Sequence, residues 1–109
     1  MVGTALFKKI ALSFQGAIEQ PHFDRTAFKV VNKRIFATLH EKTKTVNIKF
    51  TPHDQSVFCK FDPQAVYPVP NKFGLQGWTT FDLMHVPEEL IAEALRTAYE
   101  DVLKPKKKM

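Results

Sequence analysis

Ala27-Phe28-Lys29-Val30-Val31-Asn32-Lys33-Arg34-Ile35-Phe36-Ala37-Thr38-Leu39 decides the fold, together with Thr45-Val46-Asn47-Ile48-Lys49-Phe50 beyond a polar stretch from His40 to Lys44. Apolar side chains alternate there with polar and basic ones, the period-two pattern of strands with one buried face. Three strands are expected: Ala27–Val31, Arg34–Leu39 and Thr45–Phe50. Asn32-Lys33 reads as a two-residue hairpin turn, since asparagine tolerates positive φ. That turn sets Val31 opposite Arg34, Lys29 opposite Phe36 and Ala27 opposite Thr38, and opposed residues share a face. Phe28, Val30, Ile35, Ala37 and Leu39 then face the core. The register Thr38–Asn47 places Lys49 opposite Phe36, so Lys29, Phe36 and Lys49 form an exposed row, and Trp78 has the parity to join it.

Outward from this stretch the elements follow in turn. Thr4 to Ser13 reads as a helix with Leu6, Phe7, Ile10 and Ala11 on one side, ended at Gly16. Ala17 to Asp24 is expected to be irregular, because Pro21 interrupts it. Thr51-Pro52-His53-Asp54 is a helix start, with a capping threonine, proline in the first turn and an acid after it. That helix should run to Lys60 and bury Val57, Phe58 and Phe61. Val66 to Pro70 is extended and confined by its prolines to an edge. Asn71 to Gly77 reads as a loop and Trp78 to Leu83 as a strand. Pro87 opens the longest helix, with Leu90, Ile91, Ala94, Leu95, Ala98, Tyr99 and Val102 in one apolar stripe. The order α-β-β-β-α-β-β-α argues an α+β fold with an antiparallel sheet. The first and last helices should lie on one face and cover Phe28, Val30, Ile35, Leu39, Val46 and Ile48. One domain, residues 1–104, is followed by a basic tail, 105–109, expected to stay mobile and to add only non-specific electrostatics.

The net charge of +5 is misleading until it is located. Lys104, Lys106, Lys107 and Lys108 are four of the 16 basic residues; without them 12 face 11 acids, a balance of +1. From Arg25 to Phe50 seven bases stand against one acid, Glu41, whereas from Pro87 to Leu103 five acids stand against one base, Arg96. A basic sheet and an acidic last helix follow. The single cysteine, Cys59, excludes an intrachain disulfide and fits a reducing compartment. With no apolar run long enough to span a bilayer and no signal-peptide pattern, a soluble, cytoplasmic protein is expected.

The order of short motifs resembles the MmcQ/YjbR family. Ser13-Phe14-Gln15-Gly16-Ala17 with Glu19, Phe28-Lys29-Val30, Lys33-Arg34-Ile35-Phe36-Ala37 and Val46-Asn47-Ile48-Lys49 carry the resemblance. Tyr67-Pro68, Gly77-Trp78-Thr79-Thr80, Val86-Pro87-Glu88-Glu89-Leu90 and Ala98-Tyr99 continue it over nearly the whole chain. Gln15 departs from the proline usual at the family's helix-ending turn. The resemblance implies an α+β fold similar to frataxin-like or secretion-chaperone-like sheets, and a DNA-binding role through a double-wing arrangement of strands. It supplies no catalytic residues.

No residue constellation specifies a reaction. His22, His40, His53 and His85 fit no zinc spacing, the four glycines form no phosphate loop, and Glu88-Glu89 suit a helix's positive end without further purpose. No enzyme activity, cofactor or metal is expected. Aromatics flanked by lysines are how sheet proteins stack bases and hold phosphates. The expected function is therefore weak nucleic-acid binding, to DNA above all, through Lys29, Lys33, Arg34, Phe36, Lys49 and Trp78. The bland reading is that another element covers Phe36 and Trp78 while the lysines snorkel around them. A buried Phe36 would remove the row and favour the main rival, a face that docks a protein partner or a second copy as a weak homodimer. A small-ligand pocket near Tyr67 and Trp78 is the third reading.

Overall fold

A computed structural model describes residues 1–104; the basic tail at 105–109 and the expectation of its mobility lie outside the described residues. Helix α1 (Thr4–Leu12) leads into strands β1 (Ala17–His22), β2 (Arg25–Val30), β3 (Ile35–His40) and β4 (Thr45–Lys49). Helix α2 (Pro52–Cys59), strand β5 (Val66–Pro68), the short α3 (Lys72–Leu75) and strand β6 (Trp78–Asp82) follow. A 3-10 turn at Leu83–His85 then precedes α4 (Glu88–Leu103). The strands form one sheet in the order β1-β2-β3-β4-β6-β5, with every neighbouring pair antiparallel.

The expected α+β architecture holds, with α1 and α4 on one face. Phe7 of α1 meets Phe28 edge-on at 5.6 Å. Ile91, Ala94, Leu95, Ala98 and Val102 of α4 are buried in the same core as Phe28, Val30, Leu39, Val46 and Ile48. Tyr99 fastens the two helices together: its ring stacks on Phe14 at 4.7 Å and its hydroxyl donates to the Gln15 carbonyl at 2.6 Å. Thr51 caps α2 as expected, accepting from the Asp54 N–H at 3.1 Å. Of the three side chains expected to be buried there, only Phe58 packs inward, stacked on Phe50 at 4.7 Å. Val57 and Phe61 are exposed, because α2 covers only the corner formed by Phe50 and Phe81.

The segment expected to be irregular is strand β1. Pro21 is compatible with it because β1 is an edge strand, where a missing N–H can face away from the ladder. The β2–β3 turn also sits one residue earlier than Asn32-Lys33. The Lys33 N–H donates to the Val30 carbonyl at 2.8 Å, so Val31 and Asn32 occupy the centre and Asn32 takes φ 63°. Ala27 still faces Thr38 and Phe28 faces Ala37, but Lys29 faces Ile35. The surplus residue on β3 is Phe36, the site of a β-bulge.

Glycine is required where β6 begins. Gly77 has φ 110°, and a Cβ there would lie 1.8 Å from the Phe50 carbonyl oxygen. Gly77→Ala is expected to cost at least about 2 kcal/mol, combining left-handed strain with a backbone clash. Urea unfolding measures this; an unchanged midpoint would mean that the two backbones can separate freely.

Candidate functional site: the open face of the sheet

One face of the sheet carries α1, α2 and α4, and alternation sends the remaining side chains to the other. Ladder partners Gln20, Ala27, Thr38, Asn47, Thr80 and Tyr67 form a row across this open face. His22 and Arg25 face each other on one side of that row, and Lys49 and Trp78 on the other. The chain from Val69 to Gly77 leans over the β6 end. Gln55 of α2 holds it there, donating its amide to the carbonyls of Gly74 at 2.9 Å and Trp78 at 3.2 Å. Gly74 allows a close crossing, since a Cβ would lie 1.9 Å from the Val69 carbonyl oxygen.

A groove of about 390 Å³ results. His22 and Arg25 stand at one end, Thr38 and Asn47 line its middle, and Val69, Asn71, Phe73 and Trp78 form the other end. The Arg25 guanidinium makes one long contact, 3.5 Å to the Thr38 hydroxyl.

The expected row of Lys29, Phe36 and Lys49 does not exist. Phe36 is fully buried and meets Tyr99 of α4 edge-on at 6.0 Å. The bulge is the cause: it turns Phe36 to the same side as Ala37 and moves Ile35 to the open face, a one-residue slip of the kind that exchanges faces. Lys29 is half-buried between Ile18 and Ile35, and Lys33 and Arg34 are exposed in the adjoining turn. Lys49 is half-buried opposite Trp78 and donates to the Phe50 carbonyl at 3.3 Å. Burial, then the nearby Arg34 charge, holds the Lys49 ammonium below its ordinary pKa, with Asp101 opposing in part.

The acids around this face are mostly engaged. Glu41 pairs with Lys8 at 2.8 Å, and Asp82 bonds His85 at 2.8 Å. The Thr43 N–H donates to His40 Nδ1, so Nε2 carries the proton that His40 gives to Asp24 at 3.0 Å. Among the described residues no ion pair involves Arg25, Lys29, Lys33, Arg34 or Lys49. Burial raises the Cys59 thiol pKa, the direction of an inert cysteine. No three His, Cys, Asp or Glu side chains converge among the described residues, and no helix there is long and apolar enough to cross a membrane. The third reading, a small-ligand pocket near Tyr67 and Trp78, touched this groove at Trp78 but missed its other walls, since Arg25 counted only as charge and Asn71 to Gly77 only as loop.

Fold and site together define a small α+β domain with one helix-covered and one open, basic sheet face. The YjbR family model matches residues 12–101, and the chain belongs to that family. It is similar in fold to the crystal structure of the Deinococcus radiodurans protein DR2400, described as a DUF419 domain. The TM-score is 0.80 at 24% identity, over 95% of this chain and 80% of that one. No curated protein matches the chain.

Phe36→Ala is expected to destabilise the fold by about 3–5 kcal/mol, as for a core phenylalanine; a loss under about 1 kcal/mol in denaturant titration would contradict its burial. For Lys49 the sign is opposite. The unfolded chain keeps its proton up to the ordinary 10.5 while the folded one releases it earlier, so stability rises with pH across that window. Lys49→Met should flatten the rise and leave the neutral-pH melting temperature unchanged or higher, and a fall of several degrees would show the ammonium to be stabilising.

Proposed function

We propose that the open face binds nucleic acid weakly, chiefly through the phosphate backbone. The observation that supports this is a set of cations without acidic partners among the described residues: Arg25, Lys29 and Lys49 on the face that no helix covers, and Lys33 and Arg34 in the adjoining turn. Lys42 and Lys44 add charge from the exposed loop between β3 and β4, in keeping with the wing role that the family resemblance implies. With Phe36 buried there is no central stacking platform. Trp78, with Tyr67 and Phe73 exposed near it, remains to meet a base at the edge of the face, so binding is tolerant of sequence and dominated by counterion release. This reading makes the protein a binding protein, not an enzyme, and its lone half-buried cysteine suits the reducing cytoplasm.

The burial of Phe36 also favours a second reading, a protein-docking face, since Ile18 and Phe73 remain exposed at 41% and 48% among the cations. Titration of labelled single- and double-stranded DNA at two or more salt concentrations separates the two. Replacing Lys29, Lys33 and Arg34 together with alanine should lower the duplex salt slope by roughly 2–3 units. Unchanged DNA binding in that variant would overturn the nucleic-acid reading, and salt-insensitive self-association would favour docking.

A further inference from the structure

The groove between Arg25 and Trp78 is lined by one fixed cation and several hydrogen-bond donors, with the Thr38 hydroxyl and the His22 ring able to donate or accept, and no carboxylate. Asn71 Oδ1 accepts from the Phe73 N–H at 2.8 Å, and Asn47 Oδ1 accepts from the Thr80 hydroxyl at 2.7 Å. With both amide oxygens committed, each asparagine has its NH2 group left to present. Arg25 adds a guanidinium with five donors, one of them in the long contact to Thr38. No carboxylate lines the groove, and no buried side-chain nitrogen or oxygen among the described residues lacks a partner, so these spare donors are open to solvent. A guanidinium and amide donors with no facing carboxylate suit an anion. Val69, Phe73 and the half-buried Trp78 suit a flat apolar body.

We propose that this groove binds a small organic anion, with a flat ring against Trp78 and Phe73 and a phosphate or carboxylate held by Arg25 and the two asparagine amides. Its volume of about 390 Å³ admits one such molecule. The Arg25 guanidinium reaches Thr38 on β3, and from there Trp78 lies two strand spacings across and two residues along, roughly 12 Å in all, about the length of a mononucleotide. The site does not rest on polymer binding, because Lys29, Lys33 and Arg34 lie outside it.

Trp78 is the sole tryptophan, so its indole N–H gives a single resonance in the 15N-labelled full chain. That resonance is followed while adenosine 5'-monophosphate, 2-naphthoate, adenosine or inorganic phosphate is added. Saturable shifts are expected with the monophosphate, the naphthoate or both, with adenosine and phosphate each at least about tenfold weaker. A response to the monophosphate alone assigns a phosphate ligand, and to the naphthoate alone a carboxylate. No saturable shift with either, or adenosine or phosphate binding as tightly as the monophosphate, overturns the proposal. Arg25→Gln should weaken binding about tenfold or more. Asn47→Asp, nearly isosteric and still able to accept from Thr80, should abolish it by placing a negative charge in the groove. The Lys29/Lys33/Arg34 triple variant should retain ligand binding whatever it does to DNA, so the two readings fail separately; retained binding in both Arg25→Gln and Asn47→Asp would also overturn the site.

Discussion

One surplus residue in β3 organises both faces of the sheet. By bulging at Phe36, the strand places two successive side chains, Phe36 and Ala37, against the helices. The larger of them supplies the surface that Tyr99 meets. Tyr99 in turn stacks on Phe14 and bonds the Gln15 carbonyl, so α4, the end of α1 and the start of β3 close on one another. The same step sends Ile35 outward beside Lys29. A regular strand would have left a phenylalanine in water and a smaller side chain under α4, and at ~25 cal/mol per Å² of buried apolar surface the bulged arrangement is favoured.

Charge is arranged on the same plan. The acidic stripe of α4 lies on the helix layer, and the cations of β2, of the turn before β3 and of β4 point to the other face or to its rim. Lys49 marks the limit of this separation. It is half-buried, Arg34 disfavours its charge, and Asp101 of α4 compensates only in part. Burial is the larger cause, and an anion approaching Lys49 would favour its charged form. Glu41 and Asp24 do not supply that negative charge: they lie in the connections at the opposite end of the sheet, paired there with Lys8 and His40.

Most of the fold was legible because it rests on local signals. Alternation from Thr45 to Phe50 gave β4 and its register with Thr38, Thr51 and Pro52 marked the start of α2, and the apolar stripe after Pro87 marked α4. What escaped depends on partners distant in sequence. Pro21 argues against a strand unless that strand is known to be at an edge. The turn at Val31-Asn32 and the bulge at Phe36 exchange one residue between the strands of a hairpin, and only Tyr99, some sixty positions on, makes that exchange favourable. The register error then carried over to the site, turning a core phenylalanine into an exposed one. That Trp78 shares a face with Lys49 was legible from parity, because β4 and β6 pair without irregularity, whereas their direct pairing was not. Of the groove only the Trp78 end was legible, because its other walls come from β1, β2, β3, β4 and the chain at Val69 to Phe73.

That last segment is held more firmly than a surface loop of its composition would suggest. Gly74 crosses against Val69 and Gly77 against Phe50, each at a distance where a side chain would collide. Gln55 bonds the Gly74 carbonyl and the Trp78 carbonyl with one amide nitrogen, joining α2 to both sides of the crossing. Asn71 engages its oxygen with the Phe73 N–H, which fixes the loop's entry and leaves its NH2 donors free for the groove. Backbone closeness therefore does two things at once. It removes the freedom that would let Phe73 and Val69 collapse onto the sheet, and it orients the polar groups in advance, so that an incoming anion would meet donors that need no further ordering.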